Sequence, residues 1–284
     1  MNTEFIKKIA DAGVIASVSS IENAKKMAES GVGAVECADP ALAKSIKEAL
    51  PALVVGCTAE ICAGVDFFHG AVWCKSAIAE AKAAGVAVIA SVTTPLEASK
   101  MAGIGADILD FSEADIAGGI AMLGALSVAV PEAKFIVSGA ADPMSYTAIG
   151  ACIGFSDKSI DTAEDVAAAA SAAMYASLGL TLAHVGINAK DEQSAIEIST
   201  AYAKLLGIKQ KTGNSSCFAG SWVEVMKKPF LGECGHIAIG TKSLVRAIAF
   251  YERIGVKFNM DTAKPVAIYF ADDIGGFAIH LVQK

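Results

Sequence analysis

The chain has no run of basic residues, no CxxC pair, no apolar stretch near the length of a membrane span, and no glycine-rich dinucleotide fingerprint. Each absence excludes something. A formal net charge of -7 with no lysine or arginine cluster makes nucleic acid and anionic membranes poor partners. The seven cysteines (37, 57, 62, 74, 152, 217 and 234) are odd in number and lack CxxC spacing, so free thiols in a reducing compartment are expected. Asn2 to Lys8 is polar, which does not read as a secretory leader, and the expected location is cytoplasmic. A bilayer span needs roughly 18–20 apolar residues in a row, and no run approaches that. What the chain has instead is apolar bulk, 54% hydrophobic with 19% charged residues, which suits a large globular core. Its 284 residues allow one large α/β domain or two smaller ones.

The most informative stretch is Gly235-His236-Ile237-Ala238-Ile239-Gly240, with a twin at Ala183-His184-Val185-Gly186-Ile187-Asn188. Both alternate as strands do. Each is followed by a helix-like run, 191–206 and 243–254, and then by a closing apolar strand with one ionisable residue inside it. Those residues are Glu224 in 222–226 and His280 in 278–282. The last hundred residues therefore hold one unit twice. If the two copies pack about a pseudo-twofold axis, His184 and His236 from the opening strands converge with Glu224 and His280 from the closing strands. Three imidazoles and a carboxylate suit a borderline divalent metal such as zinc, nickel, iron(II) or manganese. Alternatively, the histidines fill the interior of a curved sheet. Repeat symmetry accounts for two matching histidines, but not for Glu224 and His280 at matching positions.

From Val14 onward a different pattern holds. Strand candidates at 14–18, 34–38, 53–57, 66–69, 86–92, 107–111, 134–138 and 152–155 alternate with helical runs at 21–30, 41–50, 74–84, 95–104, 118–128 and 163–175. Eight short apolar strands separated by helices predict a parallel sheet closed as a (β/α)8 barrel, an α/β fold. An open doubly wound sheet is the alternative, and the missing glycine fingerprint counts against it. Thr58 to Val65 is too short for a full crossover helix. Pro95 fits a first helical turn with Thr94 as N-cap. The pattern changes near Tyr175-Leu180, which divides the chain into domains 1–177 and 178–284, the second an α+β domain of paired βαβββ units.

Barrel chemistry sits at the C-terminal strand ends. Glu36, Thr58, His69, Thr93, Asp110, Ser138 and Ser156 are the polar residues there. Glu36 and Asp110 are flanked by apolar neighbours and are expected to point inward and lie close together. An inward carboxylate must be paired, protonated or liganded. The two are the candidate catalytic residues, with a polar plug as the plain alternative and a carboxylate-bound magnesium or manganese as another. His69 reads as a structural hydrogen-bonder.

Residues 1 to about 175 resemble the 2-keto-3-deoxy-6-phosphogluconate / 4-hydroxy-2-oxoglutarate aldolases. The stretches that carry the resemblance include Gly31-Val32-Gly33-Ala34-Val35-Glu36, Val92-Thr93-Thr94-Pro95-Leu96-Glu97-Ala98 and Gly105-Ala106-Asp107-Ile108-Leu109, with Ser138-Gly139 and Gly154-Phe155-Ser156. The resemblance implies a class I lyase barrel, a homo-oligomer (a trimer), a small keto acid as partner, a proton-handling role for Glu36 and an anion cradle on Gly139, Gly154 and Ser156. Asp110 stands where that family has its Schiff-base lysine, and Pro40 and Ala140 replace its arginine and second glycine. Because a carboxylate cannot form an imine, the aldolase reaction is expected to be lost or replaced, and the anion cradle weakened.

Residues 178–284 resemble the vicinal-oxygen-chelate superfamily, which includes glyoxalase-like enzymes. That resemblance implies a metal with open coordination positions at His184, Glu224, His236 and His280, acting on a keto acid or a related oxygenated metabolite. A non-catalytic ligand-binding or regulatory protein, with the barrel as assembly scaffold, is the competing expectation.

Overall fold

The computed structural model describes residues 2–71 and 74–284. The chain divides into two compact units, Met1–Ser177 and Leu178–Lys284.

The first unit is a closed barrel of eight parallel strands: β1 (Val14–Ser17), β2 (Ala34–Cys37), β3 (Val54–Cys57), β4 (Phe67–Gly70), β5 (Ala87–Val92), β6 (Ile108–Phe111), β7 (Phe135–Val137) and β8 (Cys152–Asp157). Pairing of β1 with both β2 and β8 closes the ring. β2, β3 and β6 are buried along their whole length, which is why they read as apolar runs rather than alternating ones. Helices α2 (Ile21–Glu29), α3 (Pro40–Ala49), α4 (Lys75–Ala83), α5 (Pro95–Ile104) and α6 (Gly119–Ala129) follow β1, β2, β4, β5 and β6, and α7 (Val166–Leu178) follows β8. The β3–β4 connection holds no helix, as its length predicts. After β7 a short 3-10 stretch, Pro143–Ala148, takes the place of one. At the start of α5, Thr94 Oγ1 accepts from the Glu97 amide while Glu97 Oε2 accepts from the Thr94 amide, so both ends of a capping box are made.

One helix lies where the sequence reading saw only polarity. Helix α1 (Thr3–Ala12) is capped by Asn2, whose side chain accepts from the Phe5 amide, and it buries Phe5, Ile9 and Ala12 at helical spacing. Phe5 and Ile9 pack with Ile15, Phe67, Ile89, Ile108 and Ile136. Phe5 and Phe67 rings are 5.6 Å apart. The amino-terminal end of the barrel is thus stopped with hydrocarbon.

The second unit is one eight-stranded mixed sheet. The first repeat is β9 (Thr181–Asn188), α8 (Glu192–Leu206), β10 (Gln210–Thr212), β11 (Ser216–Ala219) and β12 (Val223–Met226). The second is β13 (Gly235–Thr241), α9 (Leu244–Arg253), β14 (Phe258–Lys264), β15 (Ala267–Phe270) and β16 (Phe277–Gln283). The sheet order is β10-β11-β12-β9-β13-β16-β15-β14. In each repeat the opening strand pairs in parallel with the closing one, and the two opening strands pair antiparallel at the centre. Asp191 and Ser243, equivalent in the repeats, each cap their helix. Among the described residues no helix is long and apolar enough to cross a membrane, and no disulfide joins the cysteines.

Candidate functional sites

In a barrel of this kind inward side chains form layers drawn from alternate strands. The layer nearest the mouth comes from the even strands: Glu36 on β2, His69 on β4, Asp110 on β6 and Ser156 on β8. All four are buried, Glu36 and Asp110 to 1% exposure. His69 sits between the carboxylates. Its Nδ1 is 2.6 Å from Glu36 Oε2 and its Nε2 is 3.1 Å from Asp110 Oδ2. Two flanking carboxylates call for two N–H donors, so the ring is an imidazolium. Ser156 Oγ donates to Glu36 Oε1 at 2.7 Å, and Ser138 Oγ donates to Asp110 Oδ2 at 2.9 Å. Asp110 Oδ1 is buried without a hydrogen-bond partner.

Burial opposes charge on His69 and is the largest single influence, but the charge of Glu36 and the hydrogen bonds of both carboxylates outweigh it and raise the ring to about 10. Burial likewise works against ionised Glu36; His69 and the Ser156 hydroxyl overcome it and hold that carboxyl below its usual range. The expected closeness of Glu36 and Asp110 therefore takes a specific form, in which a charged imidazole bridges them. Above the layer opens a cavity of about 630 Å³. Among the described residues lining it, Lys158 is the only lysine. Sequence reasoning passed over Lys158, which follows directly on β8, whereas His69, read as a structural hydrogen-bonder, takes that part between the two carboxylates.

Of the residues expected to form an anion cradle, Gly139 and Ser156 line one loop pocket and Gly154 lies apart from it. Gly154 packs against the Gly13 carbonyl ahead of β1, where an added Cβ would meet that oxygen at 2.6 Å, so its small size serves close strand packing away from the mouth. The Ser156 hydroxyl is committed to Glu36. Gly139 does line a loop pocket, but Glu113, Asp115 and Asp157 line it too, against Lys158 alone. Such a wall repels anions.

In the second unit the four expected ligands lie on one face of the sheet. Register aligns Glu224, Gly186, His236 and Ala278 across β12, β9, β13 and β16. The next row on that face holds His184, Ala238, His280 and Tyr269. Imidazoles thus alternate with glycine or alanine, which leaves room for the rings. At Gly186 a Cβ would stand 2.0 Å from the His236 ring, so no larger residue fits there. Glu224 Oε2 lies 3.0 Å from His184 Nε2 and 3.2 Å from His236 Nε2, and the two Nε2 atoms are 3.3 Å apart. Donors about 2.1 Å from a shared ion at tetrahedral or octahedral angles stand roughly 3.0–3.4 Å from one another. His184, His236 and His280 each offer a nitrogen within 4.8 Å of the others; Glu224 joins through His184 and His236. Both nitrogens of His280, and Nδ1 of His236, are buried without partners. The three histidines fit a divalent metal by donor type and spacing, while Glu224, beside His184 and His236, stands outside the group in which all donors lie close together.

Neighbours tune these donors. Burial would raise Glu224, but hydrogen bonds from His184, His236 and Ser216 pull it well below the carboxylate range. Ser216 Oγ, two positions from the Phe218–Glu224 pair, donates to Glu224 Oε1 at 2.6 Å. Burial, helped by the charges of His236 and His184, lowers His280 to about 4, so its ring is neutral at ordinary pH, the form that binds metal. Tyr269 stacks on His280 with centroids 4.5 Å apart. Ser216 and Tyr269 were not singled out as site residues. Only the register, which places them on the histidine face, identifies them.

No family model matches this sequence, and no curated protein matches it. Solved structures do resemble it. A 2-keto-3-deoxy-6-phosphogluconate aldolase from Zymomonas mobilis aligns at TM-score 0.51 and 19% identity, over 59% of this chain and 94% of its own. A KDPG aldolase from Legionella pneumophila, captured with pyruvate as a covalent carbinolamine, aligns at TM-score 0.52 and 18% identity, over 59% and 97%. A 4-hydroxy-2-oxoglutarate / phosphogluconate-type aldolase aligns at TM-score 0.53 and 21% identity, over 60% and 97%. At these identities the likeness is one of fold, and the chain carries an eight-stranded parallel barrel of the kind seen in those aldolases.

Proposed function

We propose that the protein is a metal-dependent enzyme of the lyase or isomerase kind, with its chemistry in the second unit. On this reading the second unit is a vicinal-oxygen-chelate-type domain. The observation that carries it is the gathering of Glu224 Oε2 with the Nε2 atoms of His184 and His236 at 3.0–3.3 Å, next to a His280 whose nitrogens have no partner. These four residues would hold a zinc, nickel, iron(II) or manganese ion. A bound divalent ion supplies Lewis-acid stabilisation of an oxyanion on a small keto acid or related metabolite. The chain's own residues hold and orient the site: Ser216 fixes Glu224, Tyr269 fixes the His280 ring, and Gly186 makes space for His236. On the same reading the first unit is an aldolase-like barrel that has lost the Schiff-base reaction; the inward β6 position held by Asp110 supports this. The resemblance also implies a homo-oligomer, a trimer.

The test is elemental analysis of the purified chain, then His236→Ala. One metal per chain is expected. His236→Ala should lose most of it without unfolding, since β13 stays apolar. Unchanged metal content in the variant would overturn the reading. Activity on keto acids that chelator abolishes supports an enzyme; tight keto-acid binding without turnover supports a sequestering module instead.

A further inference from the structure

The histidine face of the second sheet carries a hydroxyl that the metal site leaves uncommitted. Phe218 on β11 lies opposite Glu224 on β12, and Tyr269 on β15 lies opposite His280 on β16, so the two rings take equivalent places in the repeats. Phe218 meets the His184 ring edge-on, with centroids 6.0 Å apart. Tyr269 stacks on His280 at 4.5 Å with 14° between the planes, and meets His236 edge-on at 6.2 Å. Hydrocarbon alone flanks one half of the site, and a phenol flanks the other. The nearby polar side chains are occupied. Ser216 Oγ donates to Glu224 Oε1. Asn188 Nδ2 donates to the carbonyls of Phe230 and Gly232, and its Oδ1 accepts from the Phe230 amide. Thr262 Oγ1 donates to the Asn259 carbonyl and accepts from the Tyr269 amide. Tyr269 Oη has no partner among the described residues and is not sealed from solvent.

Strand side chains stand roughly perpendicular to their sheet. Tyr269 and His280 rise side by side from opposed positions, with nearly parallel planes. A phenol reaches further from its backbone than an imidazole, so the hydroxyl stands beyond the edge of the His280 ring. The other face of the sheet packs against α8 and α9, which leaves this one for a ligand to approach. Phe230, on the segment between β12 and β13, packs edge-on against Tyr269 at 5.8 Å, and the three hydrogen bonds of Asn188 tie that segment down. The phenol is therefore fixed between Phe230 and His280, and a fixed donor needs no reorganisation when charge arrives. We propose that Tyr269 is a substrate-binding residue of the metal site, its hydroxyl donating to an oxyanion of the small keto acid or related metabolite bound there. The assignment rests on the metal reading of the second unit. A phenol is protonated at neutral pH, so it serves as donor rather than base. Phe218, in the equivalent place, offers no such bond.

Titration of the cobalt(II)-loaded full chain with oxalate tests it, read by the visible absorption of the cobalt. Oxalate is a planar dianion that carries the adjacent oxygens of a keto acid. Tyr269→Phe keeps the ring against His280 and removes the hydroxyl alone. Its cobalt content, and its spectrum before oxalate is added, should match wild type. Its oxalate affinity should fall about tenfold, the loss expected for a hydrogen bond to a charged oxygen. Unchanged oxalate affinity in Tyr269→Phe would overturn the proposal, as would failure of the cobalt-loaded wild type to bind oxalate. Loss of cobalt from Tyr269→Phe would overturn it too, because the hydroxyl would then serve the metal donors rather than the ligand. A wild-type chain that takes up no cobalt is a different failure: the metal reading itself falls, and the role of Tyr269 with it.

Discussion

Replacing His69 with alanine should destabilise the barrel severely, and the size of the loss follows from what the ring holds apart. Glu36 and Asp110 are both 1% exposed, and each has one oxygen on the imidazolium, at 2.6 and 3.1 Å. Removing one partner of a buried ion pair costs about 3–5 kcal/mol, because the charge left behind is unpaired. In a domain of this size each kcal/mol moves Tm by about 2–4 °C, so a fall of roughly 6–20 °C is expected. Scanning calorimetry of the full chain at neutral pH reads it. A triple variant, His69→Ala with Glu36→Gln and Asp110→Asn, should recover part of the loss, since no unpaired charge remains. The pH dependence gives an independent reading. His69 is raised from 6.5 to about 10 in the fold, so its contribution is complete below 6.5 and fades as pH climbs toward 10. Glu36 is lowered, so its contribution is present above its ordinary 4.5 and is lost as pH falls through the depressed value. Wild type should therefore weaken on the alkaline side, and His69→Ala should lack that slope. A Tm within about 2 °C of wild type at neutral pH, with the alkaline slope intact, would refute the bridging imidazolium.

Borohydride reduction in the presence of pyruvate should leave no pyruvyl adduct by mass spectrometry; an adduct on any barrel lysine, Lys158 above all, would show that imine chemistry persists. Asp110→Lys should not by itself restore aldolase turnover, because Pro40 and the acidic loop pocket remain. In the second unit Gly186→Ala puts a Cβ 2.0 Å from the His236 ring. The ring must move, at an overpacking cost of about 1–3 kcal/mol, and metal content measured by elemental analysis should drop. Full metal loading with an unchanged melting temperature would show that the ring's position is not what the site depends on.

Much of this architecture was readable from residue patterns. The eight strands, the missing third crossover helix and the doubled unit all follow from apolar periodicity and from the recurrence of His184 in His236. The inward placement of Glu36 and Asp110 follows from their apolar neighbours. What stayed hidden depends on height within the barrel rather than on local sequence. His69 looks isolated along the chain, and only the layer rule for even strands brings it level with Glu36 and Asp110. Gly154 resembles a ligand-cradling glycine until the Gly13 carbonyl is seen against it. Helix α1 was missed because its three buried residues are set among seven more polar or partly exposed ones, and the barrel bottom they fill does not exist until the strands close.

The seam at the middle of the second sheet has a consequence for how that half of the chain can change. β9 and β13 lie side by side, and each repeat contributes two of the four side chains at the site, His184 with Glu224 and His236 with His280. Neither copy alone carries enough donors to retain an ion. An ion held there would act as a rivet between the copies, and its retention would report that both have folded. The duplicated halves are then no longer free to diverge separately: a donor lost from one leaves the donors of the other without a purpose.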